Sequence, residues 1–316
     1  MRVFVTGGSG FIGQRLVKSL ITRGHEAVCL SRSGKASALL AQLGAEVLSG
    51  DLTDPTAMQR TVGEARPTHV AHLAAEIASQ RNARKVHHVN VDGTRALIDA
   101  CRNAGLERFL FLSTVVRGVA SGETFTENEY IPATTPYGRS KEQGDQMVFN
   151  GFSEWGFPGV VLRPSHVYGP GGWFAGLLDD GLFRIPGDGE NWWDMVHVDD
   201  VVSACALLLE RGEPGEAYHV VDDAPVTMNQ FFATAAQALG RKPFGNVPTW
   251  IAKLIAGKNA VIAATRSAKS SNAKLKQLGW IPAHPRSADA MAAVVNEIRG
   301  TVSPAQPTGE GQHETT

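Results

Sequence analysis

The feature that most constrains the fold is a glycine-rich run placed between a strand and a helix. Val3-Phe4-Val5 is a short apolar segment typical of a strand, and Thr6-Gly7-Gly8-Ser9-Gly10-Phe11-Ile12-Gly13 follows it directly. The apolar spacing after this run predicts a helix over about Phe11–Arg23. A glycine triplet is informative only where it joins a strand to a helix, and this one does.

Each glycine has a physical reason to be there. Gly7 permits the tight turn, Gly10 lets the backbone approach a pyrophosphate, and Gly13 lets the helix pack closely on the strand. The first helical residues, Phe11 and Ile12, then place free N–H groups and a partial positive charge near the phosphates. The run therefore predicts a dinucleotide-binding loop.

The first half of the chain alternates such strands with helical segments, which favours right-handed βαβ crossovers. The predicted strands are nearly continuous apolar runs, as expected when both faces of a parallel sheet are buried. They are Val3–Val5, Ala27–Ser31, Glu46–Ser49, His69–Leu73, Phe109–Ser113 and Gly159–Leu162. The sequence predicts an α/β fold: a Rossmann-type doubly wound parallel sheet with a smaller mixed C-terminal substrate domain.

The character of the chain changes beyond Pro164, where Gly/Pro loops and aromatic clusters replace the alternation. We expect a cofactor-binding domain over 1–165, to which segments near 190–220 return, and a smaller substrate-binding region over 166–300. The polar stretch 301–316 has no apolar period and is predicted to be disordered.

Bulk charge excludes some partners. Lys plus Arg (30) nearly cancels Asp plus Glu (31), so we expect no basic field for nucleic acid or an anionic membrane. Met1 and Arg2 run straight into a strand, and three scattered cysteines fit buried thiols in a reducing compartment. These observations predict a cytoplasmic protein.

The end of the second strand bears on the choice of dinucleotide. An acidic residue there would bind a ribose 2′-hydroxyl and repel a 2′-phosphate. This chain has Ser31-Arg32-Ser33 instead, and Arg32 offers a planar fork to a phosphate. NADP(H) is therefore predicted, with NAD as the alternative. After the third strand, Asp51 is expected to contact the adenine amino group and Leu52 its ring, while Asp54 caps the next helix.

A phenol and an ammonium group lie one helical turn apart in Tyr137-Gly138-Arg139-Ser140-Lys141. A nearby cation favours the phenolate, so Lys141 is expected to bring the pKa of Tyr137 toward the working pH. Ser113-Thr114 follows a strand about one crossover earlier, and a hydroxyl there can hold a substrate oxygen.

Taken in order, these motifs resemble those of the extended short-chain dehydrogenase/reductase family. That family includes the NAD-dependent epimerase/dehydratases and the 3β-hydroxysteroid dehydrogenase and dihydroflavonol reductase branches. The similarity covers about residues 1–285. It is carried by Thr6–Gly13, Gly50-Asp51-Leu52, His72-Leu73-Ala74-Ala75, Asn90–Thr94, Leu112-Ser113-Thr114, Tyr137–Lys141, Leu162-Arg163-Pro164, Val167–Pro170 and His197–Asp200.

The resemblance implies a catalytic triad of Thr114, Tyr137 and Lys141, with Lys141 also holding the nicotinamide ribose. Ser113 remains an alternative to Thr114, because the sequence after it departs from the family's usual Val-Tyr-Gly turn. The resemblance further implies that Leu73, Ala74, Ala75 and Pro164 line the cofactor.

Two departures bear on the substrate. Members that act on nucleotide sugars commonly have an Asn and an Arg where this chain has His166 and Trp193. An indole in place of a guanidinium suits an apolar surface rather than a diphosphate. Trp173 is a third expected substrate contact, although this residue and Phe174 could equally close a core.

The sequence thus predicts an NAD(P)(H)-dependent oxidoreductase that moves a hydride to or from a ketone, aldehyde or secondary alcohol of a small, partly apolar substrate. The alternatives are a sugar-nucleotide epimerase or dehydratase that keeps NAD tightly bound, and a non-catalytic dinucleotide sensor. By the resemblance, two helices, Val89–Ala104 and Tyr137–Phe149, would form a four-helix interface in a homodimer.

No metal is predicted. His197-Val198-Asp199-Asp200 is interpreted as a helix start capped by Asp199 or Asp200, because the sequence offers no third ligand at a plausible spacing.

Overall fold

A computed structural model describes residues 1–118, 121–179 and 183–301. The predicted tail lies outside these residues except for Thr301. Seven parallel strands form the central sheet, in the order Ala217–Val220, Gly159–Pro164, Arg108–Leu112, His69–His72, Arg2–Thr6, Glu26–Ser31 and Glu46–Ser49. This is the predicted doubly wound α/β arrangement.

The first half of the chain supplies five strands of the sheet and the helices between them. In chain order they are β1 (Arg2–Thr6), α1 (Phe11–Thr22), β2 (Glu26–Ser31), α2 (Gly34–Gln42), β3 (Glu46–Ser49), α3 (Pro55–Ala65), β4 (His69–His72), α4 (Ala83–His87), a π-helical turn (His88–Asp92), α5 (Gly93–Cys101) and β5 (Arg108–Leu112).

The second half adds two strands to this sheet, β7 and β12, and builds a smaller layer from short pieces. The elements are β6 (Ser121–Phe125), α6 (Pro136–Trp155), β7 (Gly159–Pro164), β8 (His166–Tyr168), α7 (Trp173–Asp179), β9 (Ile185–Pro186), β10 (Trp192–Trp193), β11 (Met195–His197), α8 (Val198–Arg211), β12 (Ala217–Val220), β13 (Val226–Thr227), α9 (Met228–Leu239), β14 (Asn246–Val247), α10 (Thr249–Ala256), α11 (Lys258–Ala264), β15 (Ser267–Ser270), α12 (Ala273–Gln277) and α13 (Ser287–Thr301).

Alternate side chains of each strand enter two separate cores, as a sheet covered on both faces requires. Val3 and Val5 of β1 pack toward α1 and α8, whereas Phe4 packs toward α3, α5 and α6. A third core lies in the smaller layer, where Phe231 and Phe232 of α9 meet Met291 and neighbouring residues of α13. The sheet is thereby held rigid, and its carboxyl edge faces the smaller layer.

Several predicted boundaries were wrong. The helix expected over Val89–Ala104 is a π-helical turn (His88–Asp92) followed by α5, which ends at Cys101, and the helix that begins near Tyr137 continues to Trp155 rather than Phe149. The helices α11 and α13 were not predicted. The division into regions 1–165 and 166–300 stays a prediction, although β12 does pair with β7 in the main sheet.

All three cysteines are buried and unpaired, as expected. Within the described residues, none of the helices combines the length and the apolar character needed to cross a bilayer.

Candidate active site

The glycine loop has the backbone geometry that its sequence predicts. Gly7 has φ +73°, and a Cβ there would lie 2.6 Å from the backbone nitrogen of Ala74. A Cβ on Gly13 would lie 2.1 Å from the carbonyl oxygen of Gly7. No side chain fits at either position, so β1, α1 and the segment after β4 approach one another more closely than other residues would allow.

A cleft of about 660 Å³ opens over this loop at the carboxyl edge of the sheet. It brings together residues from four separate segments, which the sequence had assigned to the cofactor. They are Gly7, Gly10, Ser31, Arg32, Asp51, Leu52, Leu73, Ala74 and Ala75. The cleft fits a dinucleotide because its floor is backbone without side chains and its far end carries a guanidinium.

Other residues assigned to the cofactor lie elsewhere. Phe11 lines a second, apolar cavity, and Ile12 packs against the core behind the loop. The carbonyl of Pro164 accepts hydrogen bonds from the Thr114 hydroxyl (3.2 Å) and the Val115 N–H (3.0 Å). None of these three residues, Phe11, Ile12 and Pro164, lines the cleft.

At the far end of the cleft, Arg32 and Asp51 approach each other, with Nη1 3.5 Å from Oδ2. The other carboxylate oxygen of Asp51 accepts hydrogen bonds from the N–H and the hydroxyl of Thr53. These contacts and the Arg32 charge lower the pKa of Asp51, although partial burial opposes them. Asp54 accepts from the N–H groups of Thr56 and Ala57, which confirms it as the cap of α3.

The phenol and the ammonium lie at the start of α6. Thr135 caps the helix by accepting from the Gly138 N–H (3.0 Å), and Pro136 fills the first turn. Lys141 donates to the carbonyl oxygen of Leu112 at the end of β5, at 2.7 Å. The helix is thus fixed against the sheet with Tyr137 facing the apolar cavity.

The structure distinguishes the two candidate hydroxyls. Thr114 lines the cavity with Tyr137, and its hydroxyl lies near enough to the phenol to lower the pKa of Tyr137. The Ser113 hydroxyl is buried, finds no hydrogen-bond partner among the described residues, and does not line the cavity. Thr114 is therefore the hydroxyl that can share a substrate oxygen with Tyr137.

Burial controls the ionisation of this pair. It raises the pKa of Tyr137 to about 12, and the hydrogen bond with Thr114 lowers it only in part. It lowers the pKa of Lys141 to about 8, and the nearby Asp145 carboxylate opposes this shift. Lys141 therefore does not by itself bring the pKa of the phenol toward neutral pH, and the Tyr137 phenol is protonated there.

Two supports of the site were missed in the sequence analysis. The Asn90 amide donates to the Glu76 carbonyl and to the Ser140 hydroxyl, both at 2.9 Å, and accepts from the Glu76 N–H at 2.7 Å. It thereby joins the wall of the cofactor cleft to the catalytic helix. Asn90 was noted only as part of a motif, and its isolated position in an apolar segment was the available signal.

The second support is a buried ion cluster beneath Lys141. The Asp145 carboxylate, 1% exposed, lies 3.0 Å from a nitrogen of Arg117 and 2.9 Å from one of Arg163. Because two cations meet one anion here, the region under α6 is electropositive. Asp145 lies four residues after Lys141 on the same face of the helix, which is the signal that could have indicated the contact.

An apolar cavity of about 550 Å³ begins at Tyr137 and Thr114 and extends beneath the smaller layer. The three residues predicted to contact substrate, His166, Trp173 and Trp193, all line it. The rings of His166 and Trp193 stack with centroids 4.6 Å apart. Burial lowers the pKa of His166 to about 4, so this wall is uncharged at neutral pH.

The remaining wall comes from segments that sequence reasoning did not connect with the site. Ile77 and Ala78 continue from the cofactor cleft into this cavity, and α10 and α11 close its far side with Ala252, Ala256 and Ala260. Phe174, by contrast, is fully buried in the third core and closes it. No motif predicts these contacts, because small apolar residues carry no chemical signature.

The interpretation of the His197 segment needs two corrections. His197 itself caps α8 by accepting from the Asp199 N–H at 3.3 Å, whereas Asp200 accepts from the N–H groups of Ala283 and His284. The structure also brings His284 beside His197 and Asp199, with ligand atoms within 4.8 Å of one another. We assign no metal here, because the Arg15 guanidinium already lies 3.4 Å from the Asp199 carboxylate.

Comparison with known proteins agrees with this geometry. The chain is 31% identical over 267 residues to the 4-hydroxy-2-methyl-3-oxo-4-farnesyl-3,4-dihydroquinoline-1-oxide ketoreductase of Stigmatella aurantiaca, covering 81% of this chain and 79% of the relative. It is 30% identical to the 2-alkyl-3-oxoalkanoate reductase of Stenotrophomonas maltophilia, with 76% of each chain covered.

Among solved structures, UDP-glucose 4-epimerase of Thermus thermophilus in complex with NAD superposes with a TM-score of 0.81. It is 28% identical, and the match covers 96% of this chain and 100% of the epimerase. Reductases and NAD-binding epimerases thus share this fold, which indicates oxidoreductase-type chemistry in the family. The model of the NAD dependent epimerase/dehydratase family matches residues 3–221, and the chain belongs to that family.

Proposed function

We propose that this chain is an NADP(H)-dependent reductase or dehydrogenase acting on a ketone, aldehyde or secondary alcohol of an apolar, non-nucleotide substrate. The observation that carries the proposal is the cavity in which Tyr137 and Thr114 share one end with an otherwise largely apolar wall. A carbonyl can reach the two hydroxyls only if the rest of the molecule fits that wall.

The roles of the residues follow from their positions. When bound, the nicotinamide supplies or accepts the hydride. Tyr137 donates its proton to the carbonyl oxygen, since burial keeps the phenol protonated. Thr114 orients the same oxygen by a hydrogen bond. Lys141, which lies one helical turn after Tyr137 and is held by its bond to the Leu112 carbonyl, would hold the nicotinamide ribose.

The preference for NADP(H) rests on Arg32 and the serines beside it. The Arg32 side chain is 63% exposed and lines the cofactor cleft, so it can turn toward a 2′-phosphate. The same guanidinium partly neutralises Asp51, which would otherwise repel that phosphate. NAD, bound by the epimerase neighbour, remains the alternative.

A second candidate function is a sugar-nucleotide epimerase or dehydratase. The similarity to UDP-glucose 4-epimerase favours it, as does Arg184, which lines the cavity and could meet a diphosphate. The Trp193 and His166 wall opposes it, because an indole and a neutral imidazole leave a buried diphosphate without compensating charge.

Thermal unfolding with NADPH, NADH, UDP and TDP separates the candidates. We expect the largest rise in Tm with NADPH, and NADPH oxidation with medium-chain ketones. Strong stabilisation by UDP or TDP, or purification with NAD still bound, would support the second candidate. Binding of NADPH without turnover of any carbonyl compound would instead favour a dinucleotide sensor.

We further propose a homodimer formed through α4–α5 and α6, as the family resemblance suggests. Pro136 and Met147 of α6 are only half-buried, so part of the helix surface is accessible. The molar mass in solution, measured by light scattering, tests this; a monomer at all concentrations would contradict it.

A further inference from the structure

The chain's near-neutral charge conceals a strong asymmetry. Residues 224–288 contain no Asp or Glu and nine Lys or Arg, so the remainder of the chain is acidic. Some of these cations are used internally: Arg266 is buried, and Lys274 and Lys276 pair with Glu216 and Asp223. Lys242, Lys253 and Lys258 are exposed. Lys253 and Lys258 lie on α10 and α11, the helices that close the far side of the substrate cavity.

Within this layer, α10 is apolar on two opposite sides. Its inner residues Ala252 and Ala256 line the cavity. Its outer residues Trp250, Leu254 and Ile255 are 65%, 74% and 74% exposed. Three large apolar side chains on two turns of one helix are more than a surface normally leaves in water, and such a patch marks an interaction site.

The patch adjoins the mouth of the cavity. Ile77 and Trp173, which line the cavity, are 62% and 41% exposed and therefore lie at its rim. Arg81 donates to the carbonyl oxygen of Ile255 at 2.9 Å, which fixes the end of α10 beside this rim. We call Trp250, Leu254, Ile255, Lys253 and Lys258 the α10 patch.

We propose that the α10 patch docks the enzyme on an anionic lipid bilayer, so that an apolar substrate enters the cavity from the membrane surface. An indole and branched aliphatic side chains enter the boundary between headgroups and acyl chains, and flanking lysines meet anionic headgroups. The two lysines match the charge of such a surface, and the cavity opens beside them. The route of substrate entry and the choice of a bilayer over a protein partner rest on the proposed function, whereas vesicle flotation measures docking alone.

The bilayer fits the patch better than a protein partner. An apolar substrate concentrates in membranes, so a site that binds the bilayer beside the cavity mouth shortens its path through water. This proposal also revises the expectation of no membrane partner, since that expectation used only the net charge and not its distribution.

Flotation of the full-length chain with vesicles tests the proposal without any substrate. We expect recovery with vesicles of phosphatidylcholine and phosphatidylglycerol, weaker recovery with phosphatidylcholine alone, and loss at high salt. Lys253→Glu/Lys258→Glu should reduce binding to the anionic vesicles at least about tenfold. Trp250→Ser/Leu254→Ser should reduce binding to both kinds of vesicle.

Matched controls lie outside the patch. Ile281→Ser changes an apolar residue that is 82% exposed, and Lys18→Glu reverses an exposed charge on α1; neither should alter flotation. Turnover of a short, water-soluble ketone should be unchanged in the patch variants, because these residues do not line the cavity. That readout separates failure of docking from failure of the proposed chemistry.

Two other occupants of the α10 patch, an acidic protein and a second copy of this chain, would give different results. Absence of flotation on anionic vesicles overturns the proposal. Binding to polyglutamate without binding to vesicles would overturn it in favour of an acidic protein. A concentration-dependent rise in molar mass that Trp250→Ser abolishes, again without flotation, would overturn it in favour of a second copy of this chain.

Discussion

The cofactor cleft and the substrate cavity share one edge of the sheet but are built in opposite ways. The cleft is formed by backbone and small residues at strand ends, and its glycines at 7 and 13 leave no room for a side chain. The cavity is formed by side chains from the strand ends and from six helices, α1, α6, α7, α9, α10 and α11. The first therefore depends on local geometry, and the second on how distant segments pack.

This difference has a functional consequence. Backbone N–H groups bind phosphate whatever the neighbouring side chains are, so the same kind of cleft can serve many reactions. The close approach of its backbone segments means that it tolerates few substitutions. A wall of alanine, tryptophan and phenylalanine can be resized by single substitutions without disturbing the sheet. Substitutions that alter cofactor binding without altering substrate turnover, or the reverse, therefore test whether the cleft and the cavity act independently.

We expect the largest difference between the effect on turnover and the effect on cofactor affinity at the Tyr137 phenol. Tyr137→Phe removes the proton donor and should reduce kcat about a thousandfold, while NADPH affinity changes little. Turnover is measured by NADPH oxidation and affinity by thermal shift. A variant that retains most of its activity would show that another group protonates the substrate.

The two hydroxyls at the end of β5 should differ sharply. Thr114→Ala removes the group beside Tyr137 and should lower kcat about a hundredfold, whereas Ser113→Ala should leave kcat nearly unchanged. Steady-state kinetics of the two variants, made side by side, measure this. Equal losses would mean that the substrate oxygen is held by some other contact.

Within the cleft, Arg32→Asp should reverse the cofactor preference, since a carboxylate repels a 2′-phosphate and accepts from a 2′-hydroxyl. We expect the ratio of Kd for NADPH to Kd for NADH to rise about tenfold or more. Arg60→Asp, on the exposed surface of α3, is the charge control. An unchanged ratio would place the 2′-phosphate elsewhere.

Within the cavity, Ala256→Phe adds bulk to the inner side of α10. It should raise KM for a long-chain ketone about tenfold and leave NADPH binding and short ketones unaffected. Leu254→Phe makes a similar change on the outer side of the same helix and should have no effect. Similar KM values for both variants would argue against α10 as a wall of the substrate site.

The smallest expected effect is a pH dependence of the rate of ketone reduction, which reflects the charge of Lys141. Burial places the pKa of Lys141 near 8, so its positive charge is present below that pH and is lost as the pH rises through it. Ketone reduction should therefore fall several-fold above about pH 8. Lys141→Arg should remove this alkaline limb, because a guanidinium stays protonated.

The control for this profile is Asp194→Asn, since burial raises the pKa of Asp194 to about 7. The alkaline limb should persist in that variant. Loss of the alkaline limb in Asp194→Asn, together with its persistence in Lys141→Arg, would assign the limb to Asp194 instead of Lys141.

The sequence by itself determined the cofactor side of the molecule. The parallel sheet, the glycine loop, Arg32 at the end of the second strand, and Tyr137 four residues before Lys141 are local patterns, and backbone geometry fixes what such patterns can form. Family membership followed from the same motifs. These elements could be predicted without knowledge of the tertiary contacts between distant segments.

Only the tertiary structure decided the rest. It showed that Thr114 rather than Ser113 faces the cavity, that Asn90 joins the cleft to α6, and that α10 forms one wall with its inner side and an exposed apolar patch with its outer side. These facts depend on contacts between residues far apart in the chain. Apolar side chains that meet across such distances have no fixed spacing, so no pattern along the sequence reveals them.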